Sequence, residues 1–118
     1  MKIYEIVESK EILDSLAQNK SLPTKIAYKI YRLLVKITPS LDFYNNQKFE
    51  LFRKYGNQEG GDIVIPLKNQ EAFLKELNEL KQVECEDEIE KIDISLDVDL
   101  GVSPADFFLL EPFINFIE

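Results

Sequence analysis

The stretch TKIAYKIYRLLVKITPSLDFYNNQKFELFRKY, residues Thr24–Tyr55, decides the fold of this chain. Apolar residues in its first half recur at the three- and four-residue spacing of one helix face: Ile26, Ile30, Leu33, Leu34 and Ile37. Basic residues recur at the same spacing on another face: Lys25, Lys29, Arg32 and Lys36. The stretch therefore predicts helix, with one apolar and one basic side.

Pro39 lies inside this helical pattern. Proline has no amide hydrogen and its ring crowds the preceding turn. We therefore expect either one long kinked helix over Thr24–Tyr55 or two helices that meet near Pro39. Pro23 and Thr24 suit the start of a helix, and Gly56 suits its C-terminal cap.

The residues before this stretch indicate a strand followed by a helix. Lys2–Val7 alternates weakly between polar and apolar residues, which predicts a short strand or an extended lead-in. Ser9 then has the side chain of an N-terminal cap for a helix that includes Ile12, Leu13 and Leu16.

The residues after it indicate a strand, a helix and a second extended region. A glycine-rich turn precedes Ile63–Ile65, and Asn69 is the expected cap of a helix whose apolar stripe is Phe73, Leu74, Leu77 and Leu80. Val83–Leu100 alternates between apolar and acidic residues, and its phase changes near Glu90. We expect an α+β fold of four to five helices with a small antiparallel sheet from Ile63–Ile65 and Val83–Leu100.

The last sixteen residues begin with a strong helix signal and are unusually apolar. Ser103 is the expected N-cap, and Pro104 suits the first helical position. Pro112 should divide the apolar run that follows into two short turns. This tail is either the last element of the core or a docking segment for a partner, with three candidate anchors: Phe108, Phe113 and Phe116.

Length and composition indicate one domain over residues 1–118. A hydrophobic fraction of 45% with 31% charged residues is typical of a globular protein rather than a disordered one. No apolar run reaches the roughly 20 residues that span a bilayer, and the first residues lack the apolar stretch of a signal peptide. These two features predict no membrane association. Cys85 is the single cysteine, so no internal disulfide can form, which favours an intracellular setting.

The net charge of −8 is divided unevenly along the chain. Residues 24–54 contain seven basic and two acidic side chains, whereas residues 84–100 contain eight acidic side chains and only Lys91 as a base. Six of these carboxylates are candidate electrostatic contacts for a partner: Glu84, Glu86, Glu88, Asp93, Asp97 and Asp99. The basic stripe, with Tyr28 and Tyr31 interleaved, could meet phosphates, but the overall charge disfavours direct nucleic-acid binding.

The sequence lacks the residues that several kinds of catalysis and metal binding need. The chain has no histidine, which removes histidine-dependent catalytic triads and the commonest general base near neutral pH. Cys85 fits a small buried side chain better than a nucleophile. Asp97 and Asp99 are expected on one strand face, where they could hold a hard cation, but the calcium-loop pattern is incomplete. We expect no cofactor, no metal and no catalytic residue.

Four groups of residues resemble a known family. In chain order they are Leu22-Pro23-x-Lys25-x-Ala27-Tyr28-Lys29, then Lys54-Tyr55-Gly56, then Phe73, Glu76, Leu77 and Leu80, then Ser103-Pro104-Ala105-Asp106 with Leu110-Glu111. The chain resembles small proteins encoded by tailed phages and prophages of Gram-positive bacteria, although Pro39 departs from their unbroken central helix. The resemblance covers most of the chain and carries over no catalytic residue. It implies a phage origin and the cytoplasm of an infected or lysogenic bacterial host.

The functional expectation is a non-enzymatic, acidic, phage-encoded protein that binds a host or phage protein. Such a protein could inhibit a host defence or nucleic-acid enzyme by presenting carboxylates to its basic groove. One alternative is a structural or assembly protein of the phage particle. Such a protein could be a homo-oligomer in which the apolar tail is buried between subunits. The other is a metal-dependent enzyme that uses the carboxylates of Asp97 and Asp99.

Overall fold

The computed structural model describes residues 1–85 and 88–118. Its elements in chain order are α1 (Ile3–Ala17), α2 (Thr24–Tyr55), β1 (Asn57–Glu59), β2 (Asp62–Val64), α3 (Leu67–Lys81), β3 (Ile92–Ser95), α4 (Pro104–Leu110) and β4 (Ile114–Ile117). The predicted α+β class and the long central helix are therefore confirmed, with four helices among the described residues.

Helix α2 runs through Pro39 without interruption, so the two-helix alternative is wrong. Pro39 lies on the exposed side of the helix, where water can reach the carbonyl group that the proline leaves unpaired. The Thr38 hydroxyl donates to the Leu34 carbonyl at 2.7 Å within the same turn. The opposite side of the helix is buried along its length: Ile30, Leu33, Ile37, Leu41 and Tyr44.

The predicted strand regions do not form one antiparallel sheet. β1 and β2 pair with each other as an antiparallel hairpin, whose turn contains Gly60 and Gly61 with positive φ. β3 pairs with β4 in parallel, with Ile92 opposite Ile114 and Ser95 opposite Ile117. Parallel strands need a crossover, which α4 supplies. The segment after Pro112, expected as a turn, is therefore a strand.

The extended region ends earlier than predicted. The Ser95 hydroxyl accepts the Asp97 amide hydrogen at 3.3 Å, and the Val98 amide donates to the Ser95 carbonyl at 3.0 Å. These local hydrogen bonds form a turn that stops β3 at Ser95 rather than at Leu100.

The prediction of a short strand or an extended lead-in over Lys2–Val7 is wrong, because α1 already begins at Ile3. Ile3 and Ile6 continue the apolar face of this helix towards Leu13, and all three side chains are buried. Ser9 is not a cap but lies buried in the helix interior, where its hydroxyl donates to the carbonyls of Glu5 at 2.8 Å and Ile6 at 3.1 Å. The hydroxyl thus finds its hydrogen-bond acceptors within its own helix, which allows the side chain to be buried.

Helix α3 also begins before its predicted cap. Pro66 occupies the cap position and Leu67 the first turn. The side-chain amide of Asn69 donates instead to the Tyr55 carbonyl at 2.9 Å, which ties α3 to the end of α2.

The molecule is elongated, with extents of 52 × 30 × 24 Å and a radius of gyration of 17.2 Å. A compact domain of this size has a radius of gyration of roughly 13 Å. The main core joins α1, the first half of α2, the β3–β4 pair and the end of α4. A second, smaller cluster contains Ile3, Tyr44 and Leu80, and the Phe52 and Phe73 rings pack beyond it with centroids 5.1 Å apart. No helix of the described residues is long and apolar enough to cross a membrane.

Candidate protein-binding surface

A cleft of about 410 Å³ lies between α1 and the α4 region. Helix α1 contributes Tyr4, Glu5 and Glu8. The other wall comes from α4 and the turn after it: Phe108, Leu109, Glu111 and Pro112. Lys91 completes the lining.

Phe108 is directed outward by the way in which α4 is fixed at both ends. At the start, the Ser103 hydroxyl accepts the Asp106 amide hydrogen, and the Asp106 carboxylate accepts the Ser103 amide hydrogen at 3.0 Å. This capping box confirms the predicted helix start. At the end, Leu110 and Phe113 are fully buried. With these contacts fixed, Phe108 lies on the solvent side and is 74% exposed.

The cleft combines apolar surface with negative charge. Glu5, Glu8 and Glu111 contribute three carboxylates against the single ammonium of Lys91. None of the ion pairs among the described residues involves these three carboxylates. Aromatic surface beside unpaired carboxylates matches apolar and cationic groups of a partner protein.

The three predicted anchors in the tail have different environments. Phe108 is exposed at the cleft. Phe116 is half-buried, and its ring makes an edge-to-face contact with Phe107 at a centroid distance of 4.9 Å. Phe113 is 0% exposed and lies in the main core, so it has no surface to offer a partner. The tail is thus both a core element and, at Phe108, an exposed one.

Two of the predicted acidic contacts have hydrogen-bond partners that are distant along the chain. The Glu84 carboxylate accepts a hydrogen bond from the Met1 amino group at 3.2 Å, and Lys2 and Glu84 form an isolated antiparallel bridge. The Asp93 carboxylate accepts from the Asn115 side chain at 3.0 Å. Glu88 is exposed, whereas Glu86 lies outside the described residues.

Asp97 and Asp99 do not share a strand face, because β3 ends at Ser95. Asp97 lies in the turn after the strand, and the Asp99 carboxylate accepts the Gly101 amide hydrogen at 2.9 Å. The described residues contain no group of three or more acidic, cysteine or histidine side chains that could hold a metal ion. The predicted acidic strand face is therefore replaced by separate carboxylates in different local structures.

Sequence reasoning missed Tyr4, Glu5, Glu8 and Glu111 as surface residues of one cleft. The sequence pattern predicts a short strand or an extended lead-in for Tyr4 and Glu5, which line the same cleft as Phe108 because α1 packs against α4. The sequence signal for helix here is that Ile3 and Ile6 share one helix face with Leu13 and Leu16, which places Glu5 and Glu8 in the same helix.

Comparisons with family models, with curated proteins and with solved structures gave no match for this chain.

Proposed function

We propose that this chain is a non-enzymatic protein that acts by binding another protein, and that the α1–α4 cleft is its contact surface. The observation that carries the proposal is the 74% exposure of Phe108 beside three carboxylates that form no ion pair within the described residues. When a partner covers a large aromatic side chain that was exposed to water, the free energy of the system falls.

Phe108 and the carboxylates would have different roles in such an interface. A central aromatic anchor commonly accounts for about 2 kcal/mol or more of binding free energy. Carboxylates at the rim mainly raise the association rate of a positively charged partner and exclude negatively charged ones. The acidic side chains Glu84, Glu86, Glu88, Asp93, Asp97 and Asp99 extend the negative field and belong to the proposal in this second role.

The proposed partner is a host or phage protein in the cytoplasm of an infected or lysogenic bacterium. A basic nucleic-acid enzyme or defence enzyme has the surface charge that this acidic protein would attract. The phage origin in this proposal comes from the resemblance of the sequence alone.

The test is affinity capture from nuclease-treated host cells, followed by a measured dissociation constant for each purified candidate. One variant bait carries Phe108→Ala and a second carries Glu5→Lys, Glu8→Lys and Glu111→Lys. A control bait carries the same charge change on exposed side chains elsewhere, at Glu59, Glu71 and Glu79. A third variant, with Glu84, Glu88 and Asp93 as lysines, tests the wider acidic field.

The proposal requires one partner that binds the native and control baits and is lost from the Phe108→Ala bait. Binding that survives both cleft variants in folded protein would place the contact elsewhere. Particle proteins captured equally by every bait would instead support the assembly alternative.

A further inference from the structure

A second groove, of about 660 Å³, lies between α2 and residues 89–93. The wall from α2 consists of Tyr28, Lys29, Arg32, Leu33, Val35 and Lys36. The facing wall is the approach to β3 and its first two residues: Ile89, Glu90, Lys91, Ile92 and Asp93. Only Lys91 belongs to both this groove and the α1–α4 cleft.

The hydrogen bonds of the β3–β4 pair show which backbone groups of β3 face away from β4. The Ile92 amide donates to the Phe113 carbonyl at 2.9 Å, and the Leu96 amide donates to the Ile117 carbonyl at 2.7 Å. Because successive residues of a strand direct their amide and carbonyl groups to opposite edges, the N–H and C=O of Asp93 point away from β4.

This outer edge of β3 has no strand beside it among the described residues, since β3 and β4 form a two-stranded sheet. Helix α2 packs on the face of β3 that carries the buried Ile92 and Ile94, while β4 occupies one edge of the strand. The groove lies beside this contact, between the exposed side of α2 and the start of β3. The free N–H and C=O groups of an unpaired edge can pair with another strand. A two-stranded sheet is only marginally stable by itself, so a third strand would strengthen it.

The charge of the groove is opposite to that of the whole protein. Four cationic side chains line it, Lys29, Arg32, Lys36 and Lys91, against the carboxylates of Glu90 and Asp93. The chain as a whole has a net charge of −8. No ion pair among the described residues involves Lys29, Arg32 or Lys36, so their charges are open to a partner.

The α2 wall also offers apolar contacts. Tyr28 is 61% exposed and Val35 is 49% exposed, although both lie on the longest helix of the protein. The Tyr28 ring lies beside the ring of Tyr31, with centroids 6.4 Å apart. An extended segment with alternating acidic and apolar residues could meet both kinds of side chain.

We propose that this groove binds an extended acidic segment of a partner protein, which adds a third strand to the free edge of β3. The backbone of the segment pairs with Asp93, and its carboxylates meet Lys29, Arg32 and Lys36. The site is separate from the α1–α4 cleft and does not depend on the function proposed for that cleft.

The first test is an NMR titration of the full chain with a capped hexapeptide of alternating glutamate and valine. We expect the Asp93 amide signal to shift and its hydrogen exchange to slow, because the amide acquires a carbonyl acceptor. Two further peptides carry N-methyl groups, one on every glutamate and one on every valine. Strand addition uses alternate amides, so one of these peptides should lose binding and the other should keep it.

The second test changes the charge of the groove. A variant with Lys29→Glu, Arg32→Glu and Lys36→Glu should raise the dissociation constant of the glutamate–valine peptide about tenfold or more. The matched control makes the same charge change at the exposed side chains Lys20, Lys68 and Lys75, and it should bind as the native chain does. A lysine–valine peptide should bind more weakly than the glutamate–valine peptide.

Four outcomes would overturn the proposal: no binding of the acidic peptide at millimolar concentration, equal binding of both N-methylated peptides, equal binding of the lysine peptide, or an Asp93 amide that does not respond. A single-stranded oligonucleotide that binds the same residues more tightly than the peptide would also overturn it, since phosphates need no strand edge.

Discussion

The ammonium of Lys54 lies 3.0 Å from the carboxylate of Glu76 and joins the last turn of α2 to α3. The two side chains are 58% and 33% exposed, so the pair is partly open to solvent, although the second carboxylate oxygen of Glu76, Oε2, is buried. The hydrogen bond from Lys54 lowers the pKa of the Glu76 carboxyl below its ordinary value of 4.5. The same hydrogen bond raises the pKa of the Lys54 ammonium.

The stability of the chain should depend on pH through Glu76. Since the folded state binds this proton more weakly than the unfolded chain, the pair stabilises above pH 4.5 and its contribution is lost as the pH falls through the lowered pKa. Glu76→Gln should therefore lower the urea midpoint at pH 7 and should lower it less at pH 3, below the ordinary pKa of the carboxyl. Glu79→Gln, on the exposed side of α3, is the control. An equal loss at both pH values would contradict the assignment.

Phe113 and Phe108 should differ strongly in their effect on stability. Phe113→Ala removes a side chain with no exposed surface and should lower the free energy of unfolding by about 3–5 kcal/mol. Phe108→Ala changes an exposed side chain and should cost less than about 0.5 kcal/mol. Urea unfolding followed by circular dichroism measures both. A similar cost for the two variants would show that Phe108 also packs in the core.

Replacing Pro39 should stabilise the protein. Proline in a helix interior is about 3 kcal/mol less favourable than alanine, and part of that is offset because proline also restricts the unfolded chain. Pro39→Ala restores an amide donor to an unbroken helix and should raise the free energy of unfolding by about 1–2 kcal/mol. Ser40→Ala is the neighbouring control, and calorimetric melting is the measurement. A lower melting temperature for Pro39→Ala would mean that the helix needs the shape that proline gives it.

Gly56 should not accept a side chain. A Cβ at this position would overlap the Ile63 side chain and the Phe52 carbonyl oxygen. Since φ is −97°, space rather than backbone conformation makes glycine necessary here. Gly56→Ala should cost about 1–3 kcal/mol of unfolding free energy, whereas Gln58→Ala on the exposed strand β1 should cost little. Equal denaturation midpoints for Gly56→Ala and the native chain would contradict this packing.

The elements that could be predicted from sequence are those with local signals. The bounds of α2 follow from its apolar periodicity and from Pro23 and Gly56, and the start of α4 follows from Ser103 and Pro104. These residues act on backbone groups within one or two turns, so no distant contact is needed to interpret them.

The β3–β4 pair could not be predicted in the same way. Nearly every residue of the tail is apolar, so Ile114–Ile117 shows no period that separates strand from helix. Its strand conformation depends on pairing with Ile92–Ser95 after the α4 crossover. The apolar composition of the tail indicates Phe108 as a candidate anchor. The cleft beside it could not be predicted, because one of its walls is a helix from the other end of the chain.

The contacts of α1 with residues 83–85 bear on the order of folding. Met1 and Glu84 are 83 residues apart along the chain, and the Cys85 amide donates to the Met1 carbonyl at 2.8 Å. Closing so long a loop costs entropy before these contacts form, whereas α1 with α2 and α2 with α3 are neighbours along the chain and pack against each other. Substitutions at these helix–helix contacts should then slow refolding, and substitutions that loosen the contacts of residues 1–3 with residues 83–85 should mainly speed unfolding. The contacts around Met1 would then be among the last in the protein to form.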